Sequence, residues 1–422
     1  MRPTKTLSWL ALGGVALALS ACGGGGQEPT TDADGNTVIK YWHAYSADSP
    51  ELKTLEDEVI PAFEKAHPGI KVESVPYPYD ELHKKLLTAT AGGTLPCLVR
   101  SDIIWVPELA QLGTLAPLSE EMDDFDKIAA NTYDGPLATT EYDGKHYGLP
   151  LDTNTRVLMY NQATLDEAGM DEPPATFDDM RKLAEGLKGT GDFAFADNDT
   201  AGWNLLPWIW SAGGEMTDEG MTKASGHLNS PESVAGVQLL VDMYKMGEIP
   251  DLITGAQGGT ETAVGLPKGD YATMLDGPWM FPIFEDQSPD FALKTAPMPA
   301  GDGGSISVVG GEDVVMTDSC PSKDEAMQFI EYLLGDDAQK AMAETGQMPV
   351  LSSLGSELTD IKPYYDTFAK QLQTARPRLP HPEYPKIEEI LRTEVQKAFT
   401  GDTTVQEALD SAAQQIDPIL AG

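Results

Sequence analysis

Residues 36–45 read NTVIKYWHAY, and this segment decides the fold. Val38 and Lys40 alternate into aromatics, the period-two pattern of a strand. Its surroundings make it the first strand of a parallel sheet. Ser49-Pro50-Glu51 opens a helix, with serine at the N-cap, proline at the first helical position and an acid in the first turn. Leu52, Leu55, Val59 and Phe63 recur at helical spacing until His67-Pro68-Gly69 stops the run. IKVESV (70–75) is the next strand, YDELHKKLLTATAGG (79–93) a helix closed by glycine, and LVRSDIIWV (98–106) a third strand. Strand–helix–strand–helix–strand specifies a parallel sheet with right-handed crossovers. Ligands of such sheets sit at the carboxyl ends of the strands. That places Trp42-His43 and Asp102 to Trp105 beside each other at one rim.

Farther along, YDGKHYGLPLDTNTRVLMYN (142–161) predicts a hairpin leading into a strand. Thr176-x-x-Asp179 and Ser322-x-x-Glu325 are capping boxes. Ser230-Pro231 opens a helix with Val234, Val237 and Val241 on one face, and two amphipathic helices end the chain.

The first 21 residues carry basic Arg2 and Lys5, then an uncharged apolar run too short to span a bilayer, which needs about 20 apolar residues. This is a secretory signal peptide. Leu19-Ser20-Ala21-Cys22 resembles the bacterial lipobox, which implies cleavage before Cys22 and a lipid on its sulfur. Residues 22–37, beginning CGGGGQEPTTDADGNT, form a flexible tether. The expected location is the outer face of the cell membrane, with the lipid as the only membrane contact. Removing the leader leaves 26 basic residues of the original 28 against 67 acidic ones, a net charge of −41. That excludes nucleic acid and anionic lipid as partners. About 400 residues imply two lobes. Cys97 and Cys320 are an even pair in an oxidising compartment, either bridged or buried as free thiols.

Enzyme signatures are absent. There is no G-x-S-x-G, no H-E-x-x-H and no P-loop, and the six histidines are scattered without metal-ligand spacing. Neither a metal nor a cofactor is expected. Asp197-Asn198-Asp199 opens like a calcium loop but lacks the closing glutamate. The abundant carboxylates leave a secreted glycoside hydrolase as an alternative.

The tryptophans speak for a different chemistry. Apart from Trp9 in the leader, they sit mostly at strand ends or in Gly/Pro-rich joints: KYWHAY, DIIWVPE, GWNLLPWIWSAGG and DGPWMFP. The apolar face of a pyranose stacks on indole, and neighbouring carboxylates accept from its hydroxyls. Eight segments carry a family resemblance in the family's order: FEKAHPGIKVESV (63–75), residues 79–118, YGLPLDTNTRVLMYN (147–161), WIWSAGGEM (208–216), LDGPWMFP (275–282), GGEDVVM (310–316), KDEAMQFIEYLL (323–334) and AETGQMPVL (343–351). The chain resembles the extracellular solute-binding proteins of bacterial ABC importers, family 1, relatives of maltose-binding protein. It departs from them at Cys97, where members usually carry aspartate after GTLP, and this departure favours a bridge to Cys320.

The resemblance implies an α/β, two-lobed periplasmic-binding-protein fold of type II, with hinge-connected lobes and the ligand between them. Lobe one would be 38–151 and 305–360, and lobe two 152–304 and 361–422. The implied function is capture of a di- or oligosaccharide by a monomer that delivers it to a membrane permease. Trp42, Trp105, Trp208, Trp210 and Trp279 are the candidate stacking or wall residues, although Trp208 or Trp210 could equally be core. Asp102, Asp152 and Glu312 are the candidate acceptors, with Asn154 and His43 as weaker polar contacts. Gly277 and Pro278 would fix the turn that presents Trp279, with Phe281 and Phe284 beneath it. A receptor for a charged solute, a phosphodiester or a polyamine, is the remaining alternative.

Overall fold

A computed structural model describes residues 29–47, 49–255 and 261–422. The leader, Cys22 and the tether as far as residue 28 lie outside these residues.

Eleven strands form three sheets. They are β1 (Thr37–His43), β2 (Ile70–Pro76), β3 (Leu98–Asp102), β4 (Glu141–Tyr142), β5 (Lys145–His146), β6 (Gly148–Thr155), β7 (Val157–Tyr160), β8 (Phe193–Ala196), β9 (Tyr271–Asp276), β10 (Lys294–Ala296) and β11 (Val309–Met316). The first lobe is built on a five-stranded sheet in the order β2-β1-β3-β11-β6, and the second on a four-stranded sheet in the order β10-β7-β9-β8. β4 and β5 make the expected hairpin. β1 runs parallel to β2 and β3, as the crossover argument requires. β11 is antiparallel to both β3 and β6, because it enters the sheet on a return from the second lobe. β6 stays paired with β11 as far as Thr155↔Val309, so residues 152–155 belong to the first sheet. Only Arg156 separates β6 from β7, the first strand of the second sheet.

The local signals act through identifiable contacts. The Ser49 side chain accepts from Leu52 N, and the helix beginning at Pro50 turns through a π segment, Leu55–Val59, before its last stretch, Ile60–Ala66. The helix Tyr79–Gly92 stops where Gly93 takes φ +64, a left-handed cap. Thr176 caps Phe177–Leu187 by accepting from Asp179 N. Ser322 precedes Lys323–Leu333 but makes no cap, and its buried hydroxyl has no partner. The reciprocal capping box forms instead at Thr404 and Glu407, before Val405–Leu420. β3 is shorter than the apolar run implies. Asp102 turns the chain by accepting from Ile104 N, and Val106 already starts a helix.

Apolar faces meet as the periodicity demands. Ile39, Tyr41, Leu98 and Phe329 pack one core around the first sheet. Val157, Met274, Phe284 and Tyr365 pack another against the second. A third joins the helix Tyr79–Gly92 and the Ile103–Val106 corner to the helices Gly202–Ser211, Pro231–Met246 and Tyr384–Thr400. The two lobes therefore share buried surface on one side and part on the other. Cys97 and Cys320 are bonded to each other, with Cα atoms 4.5 Å apart, joining the start of β3 to the turn after β11 within the first lobe.

Candidate functional site

The side where the lobes part holds a cavity of about 1120 Å³, counting the space open to solvent. Strand ends build it. From the first lobe come Tyr45 and Glu51 beyond β1, Tyr79 beyond β2, Arg100 and Asp102 on β3, Asn154 on β6 and Glu312 on β11. From the second lobe come Asp199 and Trp203 beyond β8, Asp276 and Trp279 at the end of β9, and Arg378 and Glu388 around the start of Tyr384–Thr400. This is the carboxyl-end position at which open α/β sheets bind ligands.

Three arginines line the cavity, and each faces a carboxylate. Arg100 Nη2 lies 3.0 Å from Asp152 Oδ2 and 2.7 Å from Glu312 Oε2, and it also donates to Gln347 Oε1 at 3.0 Å. The Glu312 contact is close but off the hydrogen-bonding direction, so Oε2 keeps no hydrogen-bond partner. Arg156 donates to Asp197 Oδ1 at 3.0 Å and to the carbonyls of Trp203 and Leu275. Arg378 donates to Asp102 Oδ1 at 3.0 Å, while Tyr79 Oη donates to Asp102 Oδ2 at 2.7 Å. All three guanidiniums are buried, and removing a partner would leave an uncompensated charge.

The acids respond to burial. Burial pushes Glu312 well above the ordinary carboxylate range despite Arg100, and the neighbouring Asp152 adds to the shift. Burial raises Asp276 to about 7, opposed by Arg156. Glu51 and Glu388 are raised for the same reason.

Two half-buried indoles face this polar ring. Trp203, in the first turn of Gly202–Ser211, lies between two guanidiniums, Arg378 at 5.4 Å and Arg156 at 5.7 Å from the ring. It fits only because residue 310 is glycine. A Cβ there would stand 2.6 Å from the indole and collide with Asn154 Oδ1. Trp279 lines the cavity just before the helix Met280–Gln287, and Gly277 lies against its ring where a Cβ would collide. Phe284 is buried below, and Phe281 stacks on Tyr364 at 3.8 Å.

Of the residues expected from sequence, Asp102, Asn154, Trp279 and Glu312 reach the cavity. Asp152 sits behind it, buried against Arg100 beside a small side pocket. The other expected residues are elsewhere. Strand alternation turns Trp42 away from the cavity, half-buried against the shared core and edge-on to Tyr77 at 5.1 Å. The same alternation buries His43, which bonds Ser74 Oγ at 2.8 Å and whose pKa burial lowers to about 3. Trp105 packs behind the wall, 4.9 Å from Tyr79 and stacked with His83. Trp208 is fully buried between Phe177 and Phe195, and Trp210 is buried with Arg376 above its ring. Asp313 is buried away from the cavity and accepts from Thr139.

Sequence reasoning missed Tyr45, Tyr79, Arg100, Arg156, Trp203, Asp276 and Arg378. The available signal was position, since Tyr45, Tyr79 and Trp203 all follow parallel strands within a few residues. Asp197 and Asp199, read as a broken calcium loop, instead hold Arg156 and Arg392. Among the described residues no group of three or more His, Cys, Asp or Glu could hold a metal. No helix among them is long and apolar enough to cross a membrane.

The chain is 25% identical over 416 residues to a galactooligosaccharide-binding protein of Bacillus subtilis, covering 95% of this chain and 93% of that one. It is 27% identical over 343 residues to an uncharacterized lipoprotein of Streptomyces antibioticus, covering 78% and 73%. A solved structure of an ABC transporter solute-binding protein from Thermotoga lettingae, bound with α-D-tagatose, superposes with a TM-score of 0.82 at 28% identity, covering 91% of this chain and 99% of that one. The model for the family described as bacterial extracellular solute-binding protein matches residues 58–362. With its two-lobed fold, its cavity at the strand ends and that match over most of its length, the chain belongs to the bacterial extracellular solute-binding proteins.

Proposed function

We propose that the protein is the sugar receptor of an ABC importer, without enzymatic activity, and that it takes a di- or oligosaccharide into the cavity between its lobes. One observation carries this reading. Trp203 and Trp279, both half-buried, line one cavity together with hydrogen-bonding acids and arginines. A pyranose has matching surfaces, an apolar face for indole and a rim of hydroxyls that can both donate and accept. The galactooligosaccharide and tagatose in the names of two relatives support the same class. Closure of the lobes follows from the ligand's greater affinity for the closed form, and the closed form docks on the permease. The division into lobes belongs to this proposal, at about residues 305 and 360 as expected and at Arg156 rather than 151, because β6 stays in the first sheet to Thr155; so do the monomeric state and the lipid on Cys22. The lipid is supported by Leu19 to Cys22 and by the Streptomyces relative named a lipoprotein.

The three cavity arginines favour an anionic solute as a second reading. Each already faces a carboxylate through an Nη, which offsets the charge it could offer a phosphate, although its Nε has no hydrogen-bond partner. Tryptophan fluorescence titrated with a panel of neutral sugars, a phosphodiester and spermidine separates these readings. A saturable response to a neutral or amino sugar is expected. A response to the phosphodiester alone, or release of product from a chromogenic glycoside, would replace the proposal.

A further inference from the structure

We infer that the bound sugar carries a protonated amine, so that the ligand class is an amino sugar. This rests on the carbohydrate reading above and narrows it. Each arginine of the cavity is ion-paired through an Nη, Arg100 with Asp152 and Glu312, Arg156 with Asp197, and Arg378 with Asp102, although the Nε of each has no hydrogen-bond partner. Three of its acids are not ion-paired. Glu51, Asp276 and Glu388 line the same cavity and form no ion pair among the described residues.

Glu51 is 5% exposed, and its Oε2 has no hydrogen-bond partner. Asp276 is 6% exposed and, among the described residues, accepts from Gly277 N and the Thr262 hydroxyl. Glu388 receives a single long hydrogen bond, 3.5 Å from Tyr384 Oη. Arg100, Arg156 and Arg378 act on these acids from beyond ion-pair contact, Arg100 on Glu51, Arg156 on Asp276 and Arg378 on Glu388. A carboxyl held out of water with no cation in contact is costly, and it resolves the cost either by keeping its proton or by receiving a positive group. An ammonium supplies three donors and the missing charge. The indoles add to this preference, because an aromatic face attracts a cation as well as a pyranose. A hydroxyl supplies one donor and no charge. Spermidine supplies the charge but has no flat ring for Trp203 and Trp279.

The test compares sugars that differ only in hydroxyl or amine. Glucose with glucosamine, galactose with galactosamine, trehalose with 2-amino-2-deoxytrehalose and cellobiose with its 2-amino-2-deoxy dimer are titrated calorimetrically at pH 7. The amine-bearing member of at least one pair is expected to bind about tenfold tighter, since charge-assisted hydrogen bonds are about twice as strong as neutral ones. Repeating the titration in buffers of different ionisation heat should show proton release, as the ammonium displaces protons from the carboxyls. Glu51→Gln or Asp276→Asn, whichever folds by circular dichroism, should bring the ratio within the pair toward one. Equal or tighter binding of the hydroxyl members overturns the amine and leaves the carbohydrate reading standing. No binding by any sugar, or binding of spermidine alone, overturns both.

Discussion

Arg378 donates to Asp102 at 3.0 Å, so the segment just before the helix Tyr384–Thr400 is ion-paired to the end of β3 in the first sheet. The pair is buried, and Tyr79 holds the far carboxylate oxygen at 2.7 Å. It acts as a clasp between the lobes and as part of the cavity wall at once.

Breaking that clasp from one side should be expensive. Arg378→Met leaves Asp102 buried without its cation, held by Tyr79 and Ile104 N, and losing one partner of a buried pair costs about 3–5 kcal/mol. The double variant Asp102→Asn/Arg378→Met should recover part of this loss, because no charge is then stranded. Urea denaturation of the three proteins measures it. An unchanged midpoint for Arg378→Met would mean that the pair does not hold the lobes.

The indoles can be separated by position. Trp203→Ala or Trp279→Ala should weaken sugar binding by about 2 kcal/mol, roughly thirtyfold, the worth of a stacked ring. Gly310→Ala should do the same without touching the ligand, by displacing Trp203. Trp208→Ala should instead cost about 3–5 kcal/mol of stability as a core cavity. Affinity and melting temperature measured on all four variants would show whether binding loss and stability loss divide as the geometry requires.

Stability should fall as pH rises toward neutral. Asp276 is held at about 7, above its ordinary value of 3.8, so the folded state binds more protons than the unfolded one between those values. Its favourable contribution is complete below about pH 4 and is lost as pH rises through 7. Glu51, Glu312 and Glu388 are shifted in the same direction. Asp276→Asn removes one of these slopes. Its melting temperature relative to the parent should rise from pH 5 to pH 8, and a constant difference would contradict the assignment.

Reduction should destabilise without affecting recognition. The bond from Cys97 to Cys320 spans 223 residues, and removing such a crosslink typically costs about 2–4 kcal/mol. Neither cysteine lines the cavity. Cys97→Ala/Cys320→Ala should therefore melt earlier yet bind sugar with the parent's affinity. A parallel loss of affinity would show that the bridge tunes the cleft.

The fold was largely legible because its signals are local. Ser49, Gly93 and Thr176 cap helices through their own side chains or backbone, and β1 to β3 alternate and run as their spacing requires. The site was half legible. Asp102, Asn154 and Trp279 stand at or just beyond strand ends and Glu312 within β11, and all four could be read there. Trp208 and Trp210 could not be told from Trp203, because the helix Gly202–Ser211 is apolar on every side and only its first turn meets the cavity. The arginines were obscured for a different reason. Each is neutralised by a carboxylate distant in sequence, such as Arg378 by Asp102, and no one-dimensional pattern records that pairing.

The sulfur bridge closes a covalent ring that contains β6 to β10, and with them the whole four-stranded sheet. The second lobe's sheet is thus carried on a loop inserted between two stapled points of the first, while the helices after residue 360 lie outside the ring. Pulled from its two ends, the oxidised chain could release only the segments before Cys97 and after Cys320, and the enclosed 223-residue span would stay slack and unloaded until the sulfurs part. Under the proposed lipid mooring at Cys22, the mechanical path would bypass the second lobe's sheet.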